Sequence, residues 1–208
     1  MSTATKPLPF DELFRAVELD ALAALHALIL KFSSDPTGKE KVYDLLNRAH
    51  PQRHLTILQF AVGRYPKTSL RLIEILLEYG AGTELAINHK EIQNKAVLVT
   101  PLWIAIKRKL PIELLRLLLN YKADIFFKSN SAPFSEDEKS SLNENGDGFN
   151  VLHLAAKAEA DEHVLRILFE NSKGLLLNDQ SNHLKQTPLS TKIISKLFLI
   201  FSDCSRTK

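Results

Sequence analysis

The sequence predicts an all-α protein built from repeated pairs of helices. Three stretches carry nearly the same pattern, namely Thr56-Ile-Leu-Gln-Phe-Ala-Val62, Thr100-Pro-Leu-Trp-Ile-Ala-Ile106 and Asn150-Val-Leu-His-Leu-Ala-Ala156. A second apolar segment follows each of them and ends near a Gly-Ala or Lys-Ala dipeptide. Self-similarity of this kind is typical of a solenoid, whose units bury one face only against their neighbours. An extended surface of that type predicts binding rather than catalysis.

The first helix of each pair has the same apolar face. Leucine, alanine and a further apolar residue recur on it as Leu58, Ala61 and Val62, as Leu102, Ala105 and Ile106, and as Leu152, Ala155 and Ala156. The small residues allow neighbouring helices to approach closely. The second helices begin near Leu70, Ile112 and His163 and carry aliphatic side chains on most of their surface. Such helices are expected to be packed on nearly all sides.

These residues resemble the ankyrin repeat, a unit of about 33 residues with a Thr-Pro-Leu-His-x-Ala motif. The matching residues are Thr100-Pro101-Leu102, His153, Gly80-Ala81, Ala123-Asp124 and Thr187-Pro188-Leu189. The resemblance implies one domain over residues 1–208, an ankyrin solenoid of about four helix-turn-helix repeats and a terminal half-repeat. It implies a capping repeat at 10–32, repeats at 54–82, 99–125 and 149–173, and a half-repeat or cap at 187–201.

The repeats are longer than those of the family. Successive equivalent leucines, from Leu13 through Leu58, Leu102 and Leu152 to Leu189, are 45, 44, 50 and 37 residues apart. The excess lies between one repeat and the next, at Ser33 to Arg53, Glu84 to Leu98 and Ser129 to Gly148. The resemblance implies that these insertions are finger loops along one edge, where they either bind a partner or are inert. The longest, at 129–148, is acidic and rich in serine.

The resemblance also implies a basic groove. In ankyrin repeats the residues just after the first helix face the concave side, and here those positions hold Glu18, Gly63-Arg64, Lys107-Arg108 and Lys157. The candidate partner-binding residues are Arg64, Lys67, Trp103, Lys107, Arg108, Lys109 and Lys157. Cations in this arrangement would pair with an acidic segment of another protein, although an ordinary solvated surface is the alternative. Trp103 occupies the position of the motif histidine and either contacts a partner or fills the seam between repeats.

Catalytic and metal sites are not predicted. His50 and His54 have i, i+4 spacing, but Pro51 intervenes and no third ligand is near, which favours a loop or helix-start role. His153 is expected to form hydrogen bonds between repeats, as the motif histidine of the family does. The segment Asn143 to Gly148 has alternating oxygen ligands but lacks the acid that a calcium loop needs at its twelfth position. The lone Cys204 is a poor nucleophile candidate, so we expect no enzyme activity and no cofactor.

The two ends of the chain suggest alternatives. Leu8 followed by Pro9-Phe10-Asp11-Glu12-Leu13 resembles the start of an F-box, which would make the chain a ubiquitin-ligase adaptor that recruits targets through its repeats. The same residues are also an ordinary helix start. At the other end, an apolar segment containing Ile193, Ile194 and residues 197–201 follows the last motif. We expect this segment either to fold back as a cap, or to belong to a fragment of a longer repeat array, or to be covered by a partner or a second copy.

Composition restricts the function further. A net charge of +3 over 208 residues is far from the dense basic surface of a duplex-binding module, so no nucleic-acid partner is predicted. No signal peptide or membrane-spanning stretch is recognisable, and a single cysteine is typical of a reducing cytoplasm. The irregular repeats resemble the ankyrin effectors of intracellular bacteria of the Legionella type, which implies a host protein as partner. The tail at 202–208 has one acid only, unlike the acidic secretion signals of that group.

Overall fold

The computed structural model describes residues 9–34, 38–84, 87–90, 96–128 and 150–178. The predicted acidic insertion at 129–148, the half-repeat at 187–201, Leu8 and Cys204 lie outside these ranges. The chain divides into two compact units, residues 1–87 and 88–208. The prediction of one continuous ankyrin domain therefore stays a prediction, and the two units are described in turn.

The first unit consists of two helix pairs and one additional helix. Its helices are α1 (Pro9–Glu18), α2 (Leu22–Ser33), α3 (Gly38–Asn47), α4 (Ile57–Arg64) and α5 (Leu70–Glu78). Helix α1 packs against α2 and against α4, and α4 packs against α5. The first helices of the two pairs are therefore neighbours. Their contact faces are buried at the predicted leucines, Leu13 and Leu58.

The second unit contains a hairpin and two further pairs. Its elements are β1 (Ile87–Lys90), β2 (Ala96–Val99), α6 (Pro101–Lys107), α7 (Ile112–Asn120), α8 (Val151–Lys157), α9 (Glu162–Ser172) and a 3-10 turn (Leu175–Asn178). Helix α6 packs against both α7 and α8, and α9 packs against both α7 and α8. First helices thus lie beside first helices and second beside second. The helical class is confirmed, and the hairpin is the departure from it within the described ranges.

Three of the first helices end in turns of the same geometry. The second residue beyond the helix, which is Asp20, Lys109 or Glu159, has a left-handed backbone with φ of 51°, 52° and 52°. The N–H of the next residue then donates to a carbonyl five positions back, at 2.9 Å in all three turns. This is the Schellman arrangement, which satisfies the last carbonyls of a helix. Helix α4 differs because Tyr65 precedes Pro66 and adopts an extended conformation with φ −52°.

The first helices also begin alike. Thr56 forms a capping box with Gln59, and the Thr100 hydroxyl accepts the N–H of Trp103 at 3.2 Å. The side-chain oxygen of Asn150 accepts the N–H groups of Leu152 and His153 at 3.0 and 2.9 Å. Threonine and asparagine are both good N-cap residues, and this explains why the motif tolerates the change.

The predicted finger loop at Ser33 to Arg53 is wrong. Residues 38–47 form α3, which packs against α2 and α4 and buries Val42 and Leu46. The i, i+4 spacing of these two side chains gives the helix an apolar face that a projecting loop would leave in water. Asn47, the last residue of α3, forms two hydrogen bonds to the backbone that follows α5. Its side-chain amide donates to the Gly80 carbonyl, and its side-chain oxygen accepts the Gly82 N–H. The second insertion, Glu84 to Leu98, contains the strands β1 and β2.

A carboxylate in the turn after α1 connects the two pairs of the first unit, and its removal should destabilise them. Asp20 Oδ1 accepts both the backbone N–H and the hydroxyl of Ser69, each at 2.9 Å, and Ser69 caps α5. We expect Asp20→Gly, which keeps the left-handed backbone, to lower the free energy of unfolding by about 1–2 kcal/mol. Asp20→Asn keeps both an acceptor and the backbone preference and should lose less. Urea unfolding of the three proteins tests this, and equal stability of all three would contradict it.

Candidate functional site

The most concentrated positive charge in the candidate site is the turn after α6. Lys107, Arg108 and Lys109, which we call the basic turn, are all exposed. Helix α6 holds them in place because Leu102, Ala105 and Ile106 on its other face are buried. Cations at the C-terminal end of a helix also interact favourably with the helix dipole. The basic turn is therefore a fixed feature of the surface and has a structural benefit of its own.

Lys157 occupies the matching position of the next pair. It is the last residue of α8, it is exposed, and α8 packs directly against α6. The following turn residue is Glu159, which is exposed and opposite in charge to Lys109 at the corresponding position. The second unit thus contains five of the seven predicted residues, Trp103 and four cations, with the positive charge concentrated in the basic turn.

Trp103 lies in the same unit but is not available to a partner. Its side chain is 2% exposed, and its indole N–H has no hydrogen-bond partner among the described residues. The ammonium group of Lys107 lies 4.8 Å from the centre of the indole ring. The prediction that Trp103 contacts a partner is therefore wrong. Its buried ring supports the basic turn through packing and a cation–π contact with Lys107.

Arg64, predicted as a free groove cation, is engaged within the first unit. Its guanidinium donates to the Glu18 carbonyl at 3.1 Å and lies 3.8 Å from the Glu18 carboxylate. Its side chain is 28% exposed and stacks on the Phe60 ring at 5.4 Å. Lys67, three residues later, is exposed. Arg64 is therefore engaged by Glu18, while Lys67 is accessible.

Sequence reasoning missed the cluster to which Arg64 belongs. Arg53 lies 4.5 Å from the centre of the Phe60 ring and donates to the Glu18 carboxylate at 3.5 Å. Two arginines thus flank one aromatic ring and share one acid. Glu18 is 35 residues from Arg53 and 46 residues from Arg64 in the sequence. The i, i+4 spacing of Phe60 and Arg64 on α4 is a local pattern, but no local pattern signals that Arg53 and Glu18 complete the cluster, because they come from a loop and from α1.

The histidines also take structural positions. His50 is 5% exposed and contacts Asp11 through Nε2 at 3.2 Å, and the rings of Phe10 and Phe14 lie beside it. His153 is fully buried at the start of α8. No group of three or more His, Cys, Asp or Glu residues in the described ranges could hold a metal ion.

Some exposed cations of the described surface form ion pairs with acids, whereas two residues of the basic turn do not. Arg71 pairs with Glu74 at 2.7 Å and with Glu78 at 3.3 Å, and Arg166 pairs with Glu162 at 3.0 Å. The hydrogen bond that Arg71 donates to Glu74 and the charge of Glu78 raise the pKa of the exposed Arg71 guanidinium above its ordinary value. Arg108 and Lys109 make no ion pair within the described residues. Their charge is accordingly not offset by an ion pair with any acid in the described part of the chain.

Comparison with known proteins gives no family. No family model matches the chain, and no curated protein matches it significantly. Among the helices that the structure describes, none has the length and apolar character needed to cross a membrane. The residues of the F-box alternative are buried at Phe10 and Leu13, at 8% and 1% exposure.

Proposed function

We propose that this chain is a non-catalytic protein-interaction module of the ankyrin-repeat type, which binds an acidic segment of a partner protein through the basic turn and Lys157. The repeated helix pairs support the repeat assignment, since three first helices share one end geometry and the motif threonines and Asn150 act as N-caps. Helix-pair repeats expose long surfaces and bury little that could act as a catalytic site.

The observation that carries the proposal is the basic turn itself. Three consecutive exposed cations lie at the end of a helix whose other face is buried, and two of them have no acidic partner in the described residues. A rigid support reduces the entropy lost on binding, and arginine can bind a carboxylate through two hydrogen bonds. Acidic side chains or a carboxylate-bearing helix are the groups that match this surface.

The test compares two double charge reversals. Arg108→Glu with Lys109→Glu changes the basic turn, and Arg116→Glu with Lys122→Glu is the matched control. Both control residues are exposed in the same unit, and Lys122, like Lys109, has a left-handed backbone with φ 61°. A fluorescently labelled acidic peptide rich in Glu and Leu serves as the probe in anisotropy titrations.

We expect the reversal in the basic turn to raise the Kd by at least about tenfold, because several charge contacts become repulsive. The control should change it by less than about threefold, through long-range charge alone. Equal binding by the two variants would contradict the proposal. So would stronger binding to a labelled single-stranded RNA with a steep dependence on salt, which indicates a phosphate binder.

The resemblance to bacterial effectors extends the proposal to a host protein as the natural partner. Affinity capture from a eukaryotic cell lysate with the same three proteins tests this extension. A protein retained by the wild type and the control, and lost from the variant in the basic turn, is the expected result. Retention by all three would assign binding to another surface.

A further inference from the structure

The first helix pair carries an apolar depression that no helix covers in the described structure. It is a shallow, open cavity of about 440 Å³ on the surface of α1 and α2. Alanines line much of it, at Ala16, Ala24 and Ala27, and Leu28 adds an aliphatic side chain. Small residues of this kind allow another helix to approach closely.

A protruding leucine stands at the edge of the same depression. Leu19, in the turn between α1 and α2, also lines the cavity and is 67% exposed. The exposed Leu19 side chain and the apolar depression thus lie on the same surface. A surface that carries both is self-complementary, which is the property required of an interface between two copies related by a twofold axis.

The charges around the depression have both signs. Glu12 and Arg15 lie on α1, Lys31 lies near the end of α2, and all three line the cavity. None of them forms an ion pair within the described residues. A partner of a single charge sign would match only part of this rim, whereas a second copy can place its Glu12 against Arg15 or Lys31 and receive the reciprocal pair.

We propose that two copies of this chain associate through the α1–α2 depression, with Leu19 of each copy inserted into the depression of the other. The interface is small, so the dimer is weak and depends on concentration. This association uses neither the basic turn nor the C-terminal apolar segment, and it is independent of the proposed partner binding.

Sedimentation velocity of the full chain over a concentration series tests the proposal. We expect a reversible monomer–dimer equilibrium for the wild type, and a Kd at least about tenfold higher for Leu19→Lys, which puts a charge into an apolar cavity. The matched control is Leu30→Lys, because Leu30 is an exposed leucine of α2 that does not line the depression. Its Kd should stay within about twofold of the wild type.

Reversing the charges around the depression provides a second test. E12K alone and R15E/K31E alone should each weaken self-association through like charges, while an equimolar mixture should form a heterodimer detectable by native mass spectrometry. A strictly monomeric wild type would overturn the proposal. Dimers that Leu19→Lys leaves intact would also overturn it, since they would place the contact elsewhere, and so would a mixture that forms no heterodimer.

Discussion

Replacing His50 by alanine should lower the free energy of unfolding of the first unit by about 3 kcal/mol. Nδ1 of His50 accepts the N–H groups of Gln52 and Arg53 at 3.1 and 3.2 Å, so the proton of the neutral ring lies on Nε2, which donates to Asp11. The ring also packs against Phe10 and Phe14, at 5.4 and 4.8 Å between centres. Alanine removes this packing and leaves two backbone donors without their acceptor.

Urea unfolding measures the loss with two signals. Far-UV circular dichroism reports helices of both units, while Trp103, the single tryptophan of the chain, reports the second unit. The loss should appear in the circular dichroism transition. His50→Asn retains an acceptor for the turn and should recover part of the stability.

The control for this prediction is His54→Asn. His54 is exposed and has a left-handed backbone with φ 52°, which asparagine tolerates, so a change below about 0.5 kcal/mol is expected. If His50→Ala cost no more than His54→Asn, the assignment of His50 as the residue that fixes this turn would be wrong.

Replacing Asn150 by alanine should destabilise the second unit by about 2–4 kcal/mol. Asn150 is fully buried, and its side-chain oxygen accepts the N–H groups of the second and third residues of α8, Leu152 and His153, and lies 2.8 Å from Nδ1 of His153. Its amide also donates to the Leu176 carbonyl at 3.4 Å. Alanine thus leaves several buried polar groups unsatisfied, and each of them carries a desolvation cost.

The loss of stability should appear as a lower urea midpoint in the fluorescence of Trp103, which lies in the same unit. Asn150→Thr introduces the residue found at the equivalent positions 56 and 100, and its hydroxyl should restore the cap but not the bond to Leu176. The control is Asn171→Ala, because the Asn171 side chain is exposed and bonds only to the carbonyl one turn before it among the described contacts. A loss for Asn150→Ala as small as that of the control would contradict the prediction.

The candidate site was predictable in part. The position of Lys107, Arg108 and Lys109 at the end of a first helix follows from the motif, since a buried Leu102 and Ala105 fix which residues come next at the surface. Their exposure was expected and is observed. Their function as a binding site stays a prediction.

The errors have two causes. Arg64 and Trp103 were predicted to contact a partner from their place in the motif, yet one pairs with Glu18 and the other is buried. The loop predicted at Ser33 to Arg53 contains α3, whose apolar face packs on α2 and α4. The contact of Arg64 depends on a residue 46 positions away, and the burial of Trp103 depends on how α6 packs. The apolar face of α3, in contrast, is a local i, i+4 pattern of Val42 and Leu46 that the assignment to a finger loop overlooked.

The sequence by itself determined the helix pairs, their caps and the turns after them, because these depend on hydrogen bonds and side-chain patterns within a few residues. Only the tertiary structure decided which charges are neutralised and which rings are buried. Glu18 reaches Arg64 across 46 residues, and His50 reaches Asp11 across 39. Such contacts arise when packed helices bring distant side chains together, and no local pattern encodes which of them will meet.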